Sequence, residues 1–254
     1  VAPVGDSASP VGSEPTASST VFPASLSISS TTLFRIAAFK TNYLPSKTAT
    51  HTYFFNLPEN VRSLPVFSIV TATNNLYGPS GILGISGGNY NNGEWQPNTT
   101  NDYHNPSKHG LAWERETSVE WIQPEDNSGF QIECGLRVQG SDYQRPRLTT
   151  TSKFSFRLYF RSDYGAGSLN YPLFPLTGVQ KFDQLVLRAG FNEQDNPFIR
   201  DEIHRRLSHD MGSIAAHGTL AVVFVNGQYH SSSPWYNPTE RVHEEFLQEH
   251  LGGS

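Results

Sequence analysis

Lys153-Phe154-Ser155-Phe156-Arg157-Leu158-Tyr159-Phe160-Arg161 alternates without a break. On an extended chain Phe154, Phe156, Leu158 and Phe160 fall on one face. Lys153, Ser155, Arg157, Tyr159 and Arg161 fall on the other. A period of two predicts a half-buried strand. Next along the chain, Gln184-Leu185-Val186-Leu187-Arg188 reads as a second strand. Beyond it Asn196 can cap a helix, Pro197 can take its first position and Gly212 can close it. Ile199, Ile203, Leu207 and Met211 recur at spacing four, so a helix over Pro197–Met211 is expected to pack on a sheet through that face.

The flanking segments extend the same scheme. Ser118–Gln123 and Phe130–Gln139 read as two strands joined by a turn over Pro124–Gly129. Leu64–Thr71 and Thr219–Val225 are apolar strands, and Asn226-Gly227 is a strong hairpin signal. Asn237-Pro238-Thr239-Glu240 repeats the helix-start pattern of cap, proline and acidic residue. Val242, Phe246 and Leu247 would form that helix's apolar face, and Gly252 its end. The expected fold class is α+β. A mainly antiparallel sheet would hold Phe130–Gln139, Lys153–Arg161, Leu185–Arg188 and Leu220–Val225, with packed helices.

Three segments are expected along the 254 residues. Residues 1–20, rich in Ser, Pro, Gly and Ala, read as a linker or arm. Residues 21–60 read as a small β module, with strands at Ser25–Ser29, Leu33–Lys40 and His51–Phe55. Residues 61–254 form the main unit. Within it Gly84–Lys108 is dense in Gly, Asn and Pro and is expected to be a surface loop without regular structure.

Composition narrows the function classes. A net charge of −5 argues against a nucleic-acid partner and against an anionic membrane surface. No apolar run approaches the roughly 18 residues of a membrane span, and no signal peptide is visible at the N-terminus. Cys134 is the only cysteine, so it is expected as a buried thiol rather than half of an intrachain disulfide.

Gly140 and Ser141 precede Lys153 by a basic, polar connection. Backbone N–H groups at a glycine turn, with a lysine on the next strand, can hold phosphate oxygens; on the residues alone a plain hairpin with solvated cations is the simpler reading. Glu202, on the helix after that strand, could aim Lys153, or could serve the helix dipole together with Asp201. His204 and His209 diverge on their helix. His243 and His250 share a face without an evident third ligand, so the spacings argue against a metal site.

Taken in order, LPVFSIVT (64–71), WERETSVEWI (113–122), GLRVQGSDYQRPR (135–147), TSKFSFRLYFRSDYG (151–165), LNYPLF (169–174), the run 182–212, VFVNGQY (223–229) and YNPTERVHEEFLQEHLGG (236–253) resemble the spore coat protein H (CotH) family of atypical kinase-like proteins. Residues 12–55, beginning GSEPTASST, resemble the small β-sandwich appended to chitobiase-type surface enzymes. The resemblance implies a kinase-like N-terminal lobe binding ATP with Mg²⁺ or Mn²⁺, in a bacterial protein at the cell surface or outside the cell. On it Gly140 and Ser141 lie over the phosphates and Lys153 contacts them. Glu202 would be the lysine's partner, and Glu240 would lie near the lobe junction. The family's catalytic and metal-binding aspartates belong to a C-terminal lobe whose segments are not among these residues, so this chain alone is expected to be non-catalytic. In full-length relatives the implied substrates are surface or coat proteins. The rival reading is a non-enzymatic extracellular module for surface assembly or carbohydrate attachment.

Overall fold

The computed structural model describes residues 12–92, 94–140, 153–190, 199–229 and 233–252. The chain is β-rich, with short strands and few helices. In order it forms β1 (Thr32–Ile36), β2 (Ala49–Tyr53), α1 (Glu59–Arg62), β3 (Val66–Val70), α2 (Thr73–Leu76), β4 (Ile85–Ser86), β5 (Asn89–Asn91), β6 (Glu94–Gln96), β7 (Tyr103–His104), β8 (Arg115–Ile122) and β9 (Gly129–Gln139). Then come β10 (Ser155–Tyr159), β11 (Leu169–Asn170), β12 (Lys181–Phe182), β13 (Gln184–Arg188), α3 (Arg200–Asp210), β14 (Ala221–Val225), β15 (Gln228–Tyr229), β16 (Trp235–Glu240) and α4 (Glu244–Leu251).

Seven strands close into a barrel, in the order β14-β16-β13-β10-β9-β8-β3 and back to β14. Every pairing is antiparallel except the closing one, where Val222 to Val225 run parallel to Val66 to Ile69. The expected α+β class and mainly antiparallel sheet are present; the closure is new. It removes the free edges that a sheet would otherwise expose. The alternation in β10 fills the interior: Phe154, Phe156, Leu158 and Phe160 are all buried, beside Phe67, Trp121, Leu136, Leu185, Leu187 and Tyr236. Cys134 is fully buried in the same core, and burial raises its thiol pKa well above the ordinary range. The Asn226-Gly227 hairpin joins β14 to β15, with φ of 51° and 76° as a tight primed turn requires.

Residues 21–60 contribute the β1–β2 hairpin and α1, while Ser25–Ser29 forms no strand. The hairpin lies against the barrel's outer wall. The Thr52 amide donates to Glu120 Oε1 at 3.1 Å, and its hydroxyl donates to Oε2 at 2.5 Å. Phe54 packs on Phe224, ring centroids 4.2 Å apart.

Three expectations are corrected. Gly84–Lys108 is not structureless: β4 pairs with β7 and β5 with β6. The Asp102 carboxylate organises it, accepting the N–H groups of Gly88, Asn98 and Thr99 and the Thr99 hydroxyl, and these bonds hold its pKa down. Second, Asn237-Pro238-Thr239-Glu240 belongs to strand β16, not to a helix. Leu185, Val186, Leu187 and Arg188 pair with Glu240, Thr239, Pro238 and Asn237, so ladder pairing overrides the local cap pattern. The last helix starts later, at Glu244. Of its expected apolar face, only Phe246 is buried; Val242 and Leu247 are exposed.

The third correction concerns α3. Asn196 and Pro197 lie outside the described residues, and the helix runs from Arg200 to Asp210. Its apolar stripe does not face the sheet: Ile199, Ile203, Leu207 and Met211 are 37, 41, 52 and 80 % exposed. The buried residue is Glu202. The reason lies in the wall that α3 meets. The outward side chains there are Arg188 and Asn237, and α3 answers them with Asp201, which pairs with Arg188, and with Glu202, which takes Asn237.

Candidate functional site

The candidate residues gather at two ends of the barrel. At the first, β9 finishes, β10 begins, β13 finishes and β16 begins. Gly140 and Lys153 therefore flank the same connection, as the sequence implied. Gly140 sits at φ 144°, and a Cβ there would meet no other described residue. Ser141 lies outside the described residues.

Lys153 is only 3 % exposed. Its Nζ donates to Ser233 Oγ at 3.3 Å and lies 5.1 Å from the Tyr236 ring centroid. The ring is itself held: the Tyr236 hydroxyl donates to the Phe154 carbonyl at 2.9 Å inside the core. Burial pushes the Lys153 ammonium down to about 8. A cation over an aromatic face keeps part of its stabilisation without water. Ser233 and Tyr236 were not singled out from sequence. They lie some 80 residues from Lys153, and only the β14–β16 connection brings them to it.

Glu202 is not Lys153's partner. Tyr236 and Asn237 are neighbours on β16 and point to opposite faces, Tyr236 into the core and Asn237 outward. Lys153 lies against the first and Glu202 against the second. The Glu202 carboxylate accepts from Arg205 at 2.8 Å, Arg206 at 2.7 Å and Asn237 Nδ2 at 3.1 Å. Burial pushes its pKa up, but the bonds from Arg206, Asn237 and Arg205 outweigh burial and leave it below the usual range. Gly218 makes this approach possible, since a Cβ there would stand 2.4 Å from Glu202 Oε2.

Glu240 stands at the opposite end, four residues along β16 from Tyr236 and so roughly 13 Å away. Its carboxylate is buried and held by histidines. Oε2 accepts the His217 amide at 2.7 Å and His217 Nδ1–H at 3.1 Å, while Oε1 accepts from His250 Nε2 at 2.8 Å. Burial holds His217 below the ordinary imidazole range despite Glu240. Sequence reading considered histidine pairs on single helices. His217 precedes β14 and His250 ends α4, so no local spacing could have joined them.

No known protein family, curated protein or solved structure matches this chain. The function is therefore argued from the two barrel ends. No helix among the described residues is long and apolar enough to cross a membrane.

Proposed function

We propose that this chain is a nucleotide-binding lobe of the spore coat protein H kind, with the phosphates of ATP taken up at the Lys153 end of the barrel. The observation that carries the reading is Lys153 itself. Lys153 is drawn into the fold beside a hydroxyl and an aromatic face, burial holds its pKa down to about 8, and it stands at the connection where the resemblance puts a phosphate-contacting lysine. Gly140 supports it, since a glycine at φ 144° on the other side of the connection lets backbone N–H groups approach phosphate oxygens. In the wider reading the lobe serves phosphoryl transfer to surface or coat proteins, outside the cell or at its surface. Mg²⁺ or Mn²⁺ would neutralise the phosphates, and the β1–β2 segment would be a remnant of a chitobiase-type module. Glu202 has no part in the site, because its carboxylate is taken by Arg205, Arg206 and Asn237.

On this proposal the 254-residue chain binds nucleotide without transferring phosphate. Transfer needs a metal-holding carboxylate and a base facing the γ-phosphate. The carboxylates that follow Glu240 are Glu244, Glu245 and Glu249, all on α4; Glu245 contacts His243 and Glu249 pairs with Lys181. Calorimetric titration with MgATP tests the reading. Binding should occur in the native chain and fall at least about tenfold in Lys153→Ala, while circular dichroism of the variant stays native. Equal affinity in both proteins, or none in the native chain, overturns it.

A further inference from the structure

The opposite end of the barrel carries a second constellation, independent of the nucleotide reading. His217, Glu240 and His250 each present a ligand atom, and the three atoms all lie within 4.8 Å of one another. They come from three places in the fold: the segment before β14, the end of β16, and the last turn of α4. Their side chains are 11, 3 and 11 % exposed.

We propose that His217 Nδ1, Glu240 and His250 Nε2 form a binding site for a divalent transition-metal ion of the zinc class. The donor set, two imidazoles and one carboxylate, is one that zinc takes with a fourth position left open. Two ligands about 2.05 Å from a tetrahedral ion stand about 3.3 Å apart. The Glu240 oxygens already stand 3.1 Å from His217 Nδ1 and 2.8 Å from His250 Nε2. The distances are to the two different oxygens of one carboxylate, and the two imidazole nitrogens lie within 4.8 Å of each other, so ring adjustments of about an ångström bring the three donors to a shared ion.

Charge points the same way. Glu240 is a buried carboxylate whose ion-pair partners among the described residues are these two imidazoles. A charged carboxylate drawn out of water is costly, and a divalent ion would compensate it. Neutral imidazoles need lose no net proton on binding; each moves its ring proton to the nitrogen facing away from the ion.

The surroundings are already arranged. The His217 amide anchors Glu240 Oε2, and the Glu240 amide donates back to the His217 carbonyl at 3.0 Å, which fixes two of the donors by backbone. The Phe246 ring lies 4.3 Å from that of His250 and forms an apolar wall. His209 stacks on His217 at 4.0 Å, and its Nε2 is buried without a hydrogen-bond partner among the described residues. That orphaned nitrogen beside the donor set is a second sign that the pocket is built for more than the side chains present.

The test uses untagged, chelator-treated chain titrated with Co²⁺ and with Zn²⁺ in the absence of nucleotide. One ion should bind per chain, with the visible absorption of four-coordinate Co²⁺, and Zn²⁺ should displace it. His217→Ala and His250→Ala should each weaken binding at least about tenfold. The second readout guards against misfolding, since His250 lies near the end of α4 and its variant should keep a native circular dichroism spectrum. His243→Ala removes the more exposed neighbouring cluster of Asp183, His243 and Glu245 and should leave Co²⁺ affinity unchanged. The proposal is overturned if the native chain binds no Co²⁺ or Zn²⁺. It is equally overturned if both histidine variants bind as tightly as the native chain, or if only His243→Ala abolishes binding.

Discussion

Replacing Glu202 with alanine and, separately, Ile203 with alanine tests which face of α3 meets the barrel. The two residues are adjacent and lie on different sides of the helix. Glu202 is 6 % exposed and bridges Arg205, Arg206 and Asn237, whereas Ile203 is 41 % exposed. Removing one partner of a fully buried ion pair costs about 3–5 kcal/mol. Arg206 is half-exposed and Arg205 keeps its bond to Asn237, so Glu202→Ala should cost about 2–4 kcal/mol once solvent screening is allowed for. Ile203→Ala should cost within about 1 kcal/mol, far below the roughly 2–5 kcal/mol of a buried isoleucine. Urea denaturation followed by tryptophan fluorescence gives both values. The pH dependence adds a sign. The Glu202 pKa is held below its unfolded value, so its stabilisation is complete above the ordinary glutamate range and is lost as pH falls through the lowered folded value. The native chain should thus lose more stability than Glu202→Ala on acidification below about pH 4.3. A costly Ile203→Ala with a neutral Glu202→Ala would refute this orientation and restore the apolar stripe as the packing face.

Further outcomes follow from the same geometry. Gly218→Ala should destabilise by about 1–3 kcal/mol, because its methyl meets Glu202 Oε2 at 2.4 Å and Thr239 Cγ2 at 3.0 Å; a denaturation midpoint equal to the native chain's would contradict it. Phe156→Ala, in the barrel centre, should cost about 3–5 kcal/mol, read from the same curves. Lys153 has a folded pKa of about 8 against 10.5 unfolded, so on its account stability should rise with pH between those values, a gain absent in Lys153→Met. ATP affinity should fall as pH rises above about 8, where Lys153 loses its charge in the nucleotide-free protein.

Much of the sheet was legible because alternation survives translation into structure. Phe154, Phe156, Leu158 and Phe160 are buried as a period of two requires, and Asn226-Gly227 turns where its backbone preference dictates. The failures have a common cause. Ile199, Ile203 and Leu207 do form a stripe, but periodicity cannot say whether the neighbouring wall is apolar. Here that wall presents Arg188 and Asn237, and a carboxylate fits it better. Asn237-Pro238-Thr239-Glu240 has the local grammar of a helix start, yet pairing with β13 claims it for the barrel. Gly140 and Lys153 could be placed together because one connection joins them. Ser233, Tyr236, His217 and His250 could not, since only barrel closure and the docking of α4 bring them to their sites.

The most direct measurement of the central claim is labelling with an acyl-phosphate derivative of ATP, which acylates a lysine lying against the bound phosphates, followed by peptide mass spectrometry. The account predicts acylation of Lys153, suppressed by excess MgATP, while exposed lysines such as Lys181 show no ATP-dependent protection. Lys153 left unmodified, or modified equally with and without competing ATP, would contradict it.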